Sequence, residues 1–268
     1  MIRVYLDGVG LIGPGLPGWA ASAPLLAQPH AYVPQPAQIP PADGLPSAER
    51  RRVGAPIRLA LAVGLQACAQ AGRDAATLPS VFSSSAGDGD NCHAICETLA
   101  GPERLLSPTR FHNSVHNAAA GYWSIATRCM APSTSLCAHD GSMAAGLLEA
   151  AVQVHAGAPA VLLVCADVPY PEPLHSVRPL AGPVGLALVL APAPGPHTLA
   201  RLTLQPADAE PPTTMDGPAL EALRLGNPAA RGLPLLQALA RGRAARLVLQ
   251  HLPGCQLAVD LDPLEPQR

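Results

Sequence analysis

The order of apolar and polar residues along the chain predicts strands alternating with helices. Continuous apolar runs of strand length occupy residues 160–165, 184–190 and 199–204, as expected for strands buried on both faces. Apolar residues at helical spacing occur in residues 52–71 and 141–155, and a glycine follows each segment. This alternation predicts a layered α/β domain.

The first part of the chain also shows short elements and irregular stretches. Residues 2–6 form a β-branched and aromatic run that predicts a strand, and the glycines that follow predict turns. Residues 24–46 contain seven prolines, which predicts an irregular surface segment. Residues 80–84 predict another strand, which ends in a sharp turn.

The end of the chain predicts a smaller unit behind a linker. Residues 233–240 have the pattern of a short helix, and residues 246–250 and 256–261 predict a hairpin around Pro253 and Gly254. The predicted organisation is a domain over residues 1–205, a linker over 206–218, and a helix-and-hairpin addition over 219–268.

Composition narrows the class of protein. Apolar residues make up 49% of the chain, charged residues only 13%, and the formal net charge is −2. All 17 positive charges are arginines, and no basic stripe of the kind that binds nucleic acid occurs. Neither a signal peptide nor an apolar run of about 20 residues is visible, so we expect a cytoplasmic protein without a membrane span.

The seven cysteines form an odd and irregular set, most of them within apolar or helical runs. This pattern favours buried free thiols in a reducing compartment over a disulfide framework. Neither the pair His112 and His116 nor the pair Cys92 and Cys96 completes the three or four ligands of a metal site. We therefore expect no metal, and the serine- and glycine-rich turn at residues 83–89 lacks a nucleotide-binding motif, so we expect no cofactor either.

The most informative segment spans residues 111–147, FHNSVHNAAAGYWSIATRCMAPSTSLCAHDGSMAAGL. It resembles the segment of a β-ketoacyl synthase that carries the nucleophilic cysteine. The landmarks that carry this resemblance are Asn117, Gly121, Ser124, Ile125 and Pro132. Similar elements, among them VYLDGVGLIGPG, LQACAQAG and GAPAVLLVCADVP, extend the resemblance over roughly residues 1–205.

Counted from these landmarks without a gap, the position of the nucleophile is occupied by Asp140. The resemblance implies a cysteine thiolate there, together with two histidines from a C-terminal half and a lysine. This chain has no lysine, and His251 is its only histidine after residue 205. These three departures predict that no residue of the chain is catalytic.

Asp140 leaves several roles open. Aspartate is a strong N-cap and would suit the start of the helix predicted over residues 141–155. It could also line a pocket or assist a decarboxylation, helped by His139, whereas a covalent role is disfavoured because a carboxylate is a poor nucleophile toward a thioester. Cys137 is the alternative nucleophile, but its register needs a gap after Pro132, which favours a buried structural thiol.

The resemblance also implies a role for the start of this segment. In ketosynthases the corresponding residues pack at the dimer axis and reach toward the acyl tunnel of the partner. The residues to which this interface or tunnel-end role would fall are Phe111, His116, Asn117, Tyr122 and Trp123. For the adjacent Tyr122 and Trp123, an ordinary core pair is the alternative.

Taken together, the chain resembles a chain-length-factor-like ketosynthase homologue of the short kind found in aryl polyene biosynthesis. The resemblance implies a thiolase-like fold, a layered αβα domain truncated to the N-terminal half of a condensing enzyme. It implies a full-length β-ketoacyl synthase as heterodimer partner and transient contact with an acyl carrier protein. We also expect the missing half to leave apolar faces uncovered.

Two other functions stay open. The chain would be an enzyme in its own right if Cys137 served an acyltransferase or thioesterase, or if Asp140 served a decarboxylase. It would be a pure binding protein if it formed a non-catalytic homodimer that only binds acyl carrier protein.

Overall fold

The computed structural model describes residues 1–208 and 210–264, which form helices on both faces of one mixed sheet. The strands of these residues follow the order β3-β2-β4-β5-β1-β6-β8-β7 across the sheet. Their bounds are β1 (Ile2–Ile12), β2 (Ser80–Ser83), β3 (Ser133–Leu136), β4 (Val161–Asp167), β5 (Val184–Ala191), β6 (Ala200–Ala207), β7 (Ala245–Leu252) and β8 (Cys255–Pro263). The predicted layered α/β domain is confirmed.

Only one end of the sheet is parallel. Strand β2 pairs in parallel with β3 on one side and with β4 on the other. All other neighbours, from β4 and β5 onward to β8 and β7, pair antiparallel. The carboxyl ends of β2, β3 and β4 therefore meet at one edge of the sheet.

The helices occupy the connections between these strands. They are α1 (Trp19–Ala27), α2 (Ser47–Arg50), α3 (Ala55–Gln70), α4 (Gly89–Ala100), α5 (Pro108–Asn113), α6 (Ala118–Thr127), α7 (Ser142–His155), α8 (Leu174–Val177), α9 (Pro218–Gly226) and α10 (Leu233–Ala240). Short 3₁₀ turns precede α7 at His139–Gly141 and α10 at Ala229–Gly232. Within the described part of the chain, no helix is long and apolar enough to cross a membrane.

Alternate residues of the central strands face two separate cores. Along β4, Leu163 and Cys165 face the core that contains α7, whereas Leu162 and Val164 face the core built by α3 and α6. Both faces of β4 and β5 are buried throughout. Burial on both faces explains why these strands show continuous apolar runs and no alternation.

Helix α3 lies directly on β1, and two glycines make this contact possible. A Cβ atom at Gly10 would lie 1.9 Å from the carbonyl oxygen of Val63, and one at Gly8 would lie 2.2 Å from that of Ala67. Both glycines are inside β1, so the prediction that the chain turns there is wrong. The glycines are required by close approach of a helix backbone and not by turn geometry.

The strand β1 is irregular at this contact, and α3 satisfies its free amides. The register of β1 against β5 shifts between Leu6 and Gly8. The side-chain oxygens of Gln70 and Gln66 accept hydrogen bonds from the backbone N–H groups of Val9 and Leu11, at 2.7 and 3.1 Å. Buried amides left by the irregular pairing are thereby paired.

The C-terminal elements cover the face that was expected to be bare. Apolar residues of α9, α10, β7 and β8 join the same core as α7 and β1. The faces of α7 and β1 are therefore buried within the chain, and the expectation of uncovered faces is wrong at this position. A C-terminal segment of about fifty residues, although short, folds back over them.

Of the remaining predictions for local elements, some are confirmed and others are wrong. Helix α10 and the hairpin of β7 and β8 are confirmed, whereas the proline-rich segment begins inside α1, which contains Pro24. Strand β6 extends to Ala207 and pairs with both β1 and β8, so the sheet continues through the start of the predicted linker. The division into domains at residues 205 and 218 stays a prediction.

The contact between α3 and β1 can be tested with two glycine substitutions. We expect Gly10→Ala to lower the free energy of unfolding by about 2 kcal/mol or more, because the new methyl overlaps the α3 backbone. Gly121→Ala is the control, since nothing lies within 4 Å of a Cβ there, and the better helix former should stabilise α6 by up to about 1 kcal/mol. Urea unfolding measures the midpoint of each variant, and equal midpoints for Gly10→Ala and Gly121→Ala would contradict the close contact between α3 and β1.

Candidate functional site at the start of helix α7

Asp140 lies where the edge of parallel strands meets the start of α7. It is the middle residue of the 3₁₀ turn that links β3 to α7. Its side chain caps neither this turn nor α7, so the prediction of an N-cap is wrong. Ser142 braces the turn instead: its hydroxyl accepts from the Ala138 N–H at 3.0 Å and donates to the His139 carbonyl at 2.7 Å.

Two arginines hold the Asp140 carboxylate. Oδ1 accepts a hydrogen bond from Nη2 of Arg178 at 2.9 Å, and Oδ2 lies 3.8 Å from Nη2 of Arg231. The Arg231 side chain is only 9% exposed, against 32% for Asp140. Arg178 also contacts the imidazole of His139 through Nη1. The carboxylate is thus engaged as a counter-ion, which leaves it a still weaker nucleophile.

From Arg178 a polar network runs on to the ends of β2 and β4. Arg178 Nε donates to the Tyr170 hydroxyl at 3.4 Å, and this hydroxyl lies 2.9 Å from Ser85 Oγ. Ser85 in turn donates to Oδ1 of Asp167 through both its N–H, at 2.7 Å, and its hydroxyl, at 2.8 Å. The start of α7 is therefore tied to the carboxyl ends of two neighbouring strands.

Asp167 is a buried carboxyl with an incomplete set of partners. Burial raises its pKa above the ordinary value, although hydrogen bonds from Ser84 and Ser85 oppose the shift. Its Oδ2 has no hydrogen-bond partner among the described residues. The native state therefore holds a proton on Asp167 more tightly than an unfolded chain would.

The far end of the sheet also reaches this site. A Cβ atom at Gly141 would lie 2.2 Å from the carbonyl oxygen of His251, so the end of β7 packs against the turn that carries Asp140. Burial lowers the pKa of the His251 imidazole, and its Nδ1 is unpaired within the described part of the chain. The sequence identified His251 only as the one histidine after residue 205 and did not predict that it packs against this turn.

Cys137 is exposed, three residues before Asp140, so its interpretation as a buried thiol is wrong. The expectation for the whole set of cysteines is also only partly right. Cys68, Cys129 and Cys165 are buried, whereas Cys92 and Cys96 are exposed like Cys137, and all of them are free thiols.

The predicted interface residues fall into two groups. Phe111, His116 and Asn117 are exposed, Phe111 to 65%. Tyr122 and Trp123 are each 1% exposed and belong to the core of α3 and α6. The three exposed residues can contact a partner, whereas Tyr122 and Trp123 are buried in the core. The interface and tunnel-end role stays a prediction for both groups.

The buried aromatic pair is held by specific contacts. The Tyr122 hydroxyl donates to Asn113 Oδ1 at 3.0 Å, and the Trp123 ring meets the ring of Phe82 edge-on at 6.2 Å. Trp123 also packs on α3 at Gly64, where a Cβ would lie 2.7 Å from the indole. These contacts fix α6, and with it the exposed residues on either side.

A small cavity lies between β2, α3 and the segment before α6. Its volume is about 40 Å³, and Ser84, Asp88, Val115 and His116 are among its lining residues. Such a space has room for a few water molecules. Asp88 caps α4 by accepting from the Asn91 N–H at 3.0 Å, and burial raises its pKa.

No three His, Cys, Asp or Glu side chains lie close enough to hold a metal in the ranges that the structure describes. His112 stacks edge-on against Tyr122, and His93 pairs with Glu97 on α4 at 3.3 Å. Of the residues considered for a metal site, His112 thus has another partner nearby.

Sequence reasoning missed most of the polar network. Arg178 lies 38 residues from Asp140 along the chain, in an irregular segment, and nothing in the sequence indicates that the two meet. A signal did exist for Asp167, because it is the charged residue that ends an otherwise apolar buried strand. Polar residues at the carboxyl ends of parallel strands tend to converge at functional sites.

The ion pairs of Asp140 can be tested by truncation. We expect Asp140→Ala to lower the free energy of unfolding by about 1–3 kcal/mol, because Arg231 would be left buried without its carboxylate. Asp262→Ala is the matched control: its pair with Arg201 is 41% exposed on both sides and should contribute at most about 1 kcal/mol. Equal losses in chemical denaturation would mean that the Asp140 pairs are ordinary surface contacts.

The raised pKa of Asp167 predicts a pH dependence. Because the native state binds the proton more tightly, this carboxyl makes stability fall as the pH rises from the unfolded pKa through the folded one. Asp167→Asn imitates the neutral acid, so the unfolding free energy of the variant should decline less between about pH 4 and pH 7. Parallel urea titrations of wild type and variant across this range measure the two slopes, and identical slopes would contradict the raised pKa.

Comparison with solved structures places the fold. A ketosynthase in complex with its chain length factor from Xenorhabdus doucetiae is 24% identical with a TM-score of 0.74, over 97% of this chain and 100% of that chain. The ishigamide ketosynthase/chain length factor is 15% identical with a TM-score of 0.72, over 99% and 100%. The chain therefore has the thiolase-like fold of ketosynthases.

A third structure shows how much of a longer ketosynthase chain this chain matches. The ketosynthase from module 1 of the bacillaene synthase of Bacillus amyloliquefaciens is 14% identical with a TM-score of 0.58, and the match covers 78% of this chain but 46% of that one. The predicted truncation relative to a full condensing enzyme is thus confirmed. No curated protein matches the chain.

A family match covers most of the sequence. Residues 25–250 match the family described as "Beta-ketoacyl synthase, N-terminal domain". This range includes the segment of residues 111–147, the Asp140 turn and both arginines that hold it. The chain belongs to the β-ketoacyl synthase N-terminal domain family.

Proposed function

We propose that the chain is a non-catalytic, chain-length-factor-like subunit that pairs with an active β-ketoacyl synthase. The pair would elongate acyl chains on an acyl carrier protein, in aryl polyene, polyketide or fatty-acid-type synthesis. One observation carries the proposal: at the start of α7, where a ketosynthase needs a free thiolate, this chain has a carboxylate held between two arginines.

The chemistry of the site supports this role. A condensing enzyme must attack a thioester with a thiolate and then stabilise an enolate with histidines and a lysine. Asp140 is a weak nucleophile, lysine does not occur in the sequence, and His251 is the only histidine after residue 205. A partner must then supply the Cys-His-His chemistry.

The edge of the sheet offers the partner a surface. Strand β3 pairs only with β2 within the described residues, so its other edge carries unpaired backbone groups. Met130, three residues before this strand, is 90% exposed, and Ile125 on α6 and Val115 just before α6 are exposed to 44% and 52%. An edge strand flanked by exposed apolar side chains favours association with another chain.

The predicted interface residues fit this surface. Phe111, His116 and Asn117 are exposed near Val115 and would contact the partner directly. Tyr122 and Trp123 lie beneath them and would act by fixing α6. An open cleft of about 540 Å³, lined by Asn117, Trp123, Met130 and Ser133 among others, lies beside β3, which favours a tunnel formed at the boundary with the partner.

The partnership can be tested by purification of the tagged chain from its native host. We expect a 1:1 complex with a full-length ketosynthase, identified by mass spectrometry and sized by light scattering. Met130→Asp should abolish the complex, because it places a charge in the apolar surface beside β3.

Val33→Asp is the control for that substitution. Val33 is 62% exposed and lies beside Gly15 just after β1, which is four strands from β3 in the sheet, so the complex should survive the change. A wild-type chain that purifies alone, as a monomer or a homodimer, would contradict the proposed function.

A second candidate rests on the exposure of Cys137, which lies close to the start of α7. An acyltransferase or thioesterase would use this thiol, and incubation with an acyl-carrier thioester followed by intact mass would detect the acyl adduct. Turnover that is lost in Cys137→Ala would favour this function. Decarboxylation by Asp140 would instead appear as release of carbon dioxide that is lost in Asp140→Asn.

A further inference from the structure

The turn at Asp140 carries more positive than negative charge. Four side chains, His139, Asp140, Arg178 and Arg231, contact one another there, and we call them the Asp140 cluster. Two guanidinium groups share one carboxylate. With neutral imidazoles the cluster therefore has one positive charge in excess.

Arg231 is the poorly compensated member. Its side chain is 9% exposed, yet its nearest carboxylate oxygen is 3.8 Å away, beyond ordinary hydrogen-bond distance. Its Nη2 donates to the Leu225 carbonyl at 3.1 Å, whereas its Nε has no partner among the described residues. Burial lowers the pKa of this guanidinium, as expected for a buried cation short of negative charge.

The neighbouring carboxylates have closer partners than the arginines of the cluster. Glu221 is committed to Arg224, with Oε1 and Oε2 accepting from Nη2 and Nε of that arginine at 2.6 and 2.7 Å. Asp167 is committed to Ser84 and Ser85, whose N–H and hydroxyl groups donate to its Oδ1. The partly buried His251 imidazole has a pKa below its ordinary value, which disfavours a positive charge there.

The cluster is open to solvent on one side. His139 is 69% exposed, Asp140 32% and Arg178 23%, whereas Arg231 forms the buried floor. A small anion can therefore approach without unfolding the turn. The planar fork of a guanidinium suits a carboxylate, and Asp140 already shows that these two arginines accept one.

We propose that Arg178 and Arg231 form a binding site for a small carboxylate anion, and that Asp140 shares this site as a built-in competitor. The ligand class is a short carboxylic acid, or an acyl group that ends in a free carboxylate. The site belongs to the chain alone and does not depend on the proposed partner.

Calorimetric titration of the full chain with sodium malonate tests the site, at constant ionic strength set with sodium chloride. We expect saturable 1:1 binding, with acetate weaker because it has one carboxylate. Asp140→Asn should bind malonate several-fold more tightly, because the competing carboxylate is gone while the shape of the side chain is kept. Malonate should also raise the melting temperature of this variant toward that of the wild type.

Two arginine substitutions serve as test and control. Arg178→Gln should abolish malonate binding, whereas Arg201→Gln should leave it unchanged, because Arg201 pairs with Asp262 on strands β6 and β8. If Arg178→Gln does not fold, the comparison of Asp140→Asn with wild type decides alone.

Three outcomes would overturn the proposal. The first is no saturable binding in either the wild type or Asp140→Asn, and the second is binding that survives Arg178→Gln. The third is binding of inorganic phosphate with no response to malonate or acetate, which would assign the arginines to a phosphate group and not to a carboxylate.

Discussion

The arrangement of the molecule depends on the direct contact between the backbones of α3 and β1. Gly8 and Gly10 bring the helix onto the strand, and Gln66 and Gln70 pair the amides that the irregular register of β1 leaves free. An adjacent face of α3 leaves space at Gly64, where the Trp123 indole packs. Helix α6 is positioned in this way, and with it the exposed residues beside β3.

Much of the central architecture is encoded locally and could be predicted. The buried strands β4 and β5 show continuous apolar runs because helices cover both of their faces, and α3, α7 and α10 repeat their apolar residues at helical spacing. The glycines of β1 were misleading because glycine serves turns and close packing equally well. The sequence did not predict that the C-terminal segment packs over α7, because this is a tertiary contact that no local sequence pattern indicates.

The candidate site likewise has a part that the local sequence predicts and a part that depends on tertiary contacts. Counting from the landmarks of residues 117–132 places Asp140 at the start of α7, and the structure has it there, although the expected cap was replaced by ion pairs. Arg178 directly follows α8 and Arg231 lies in the 3₁₀ turn before α10, both far from Asp140 along the chain, so their convergence on it depends on the fold as a whole. A carboxylate at a helix start suggests a cap by default, and only the tertiary structure reveals two cations within reach.

The packing of β7 against Gly141 limits which side chains the turn before α7 can carry. The carbonyl of His251 occupies the space that any side chain at residue 141 would need, and Arg178 and Arg231 depend on the carboxylate of the preceding residue. Asp140→Cys would introduce a thiol at this turn but leave the two guanidinium groups without their carboxylate. The two positions are therefore interlocked, because neither can change without compensating changes in the residues packed around the turn.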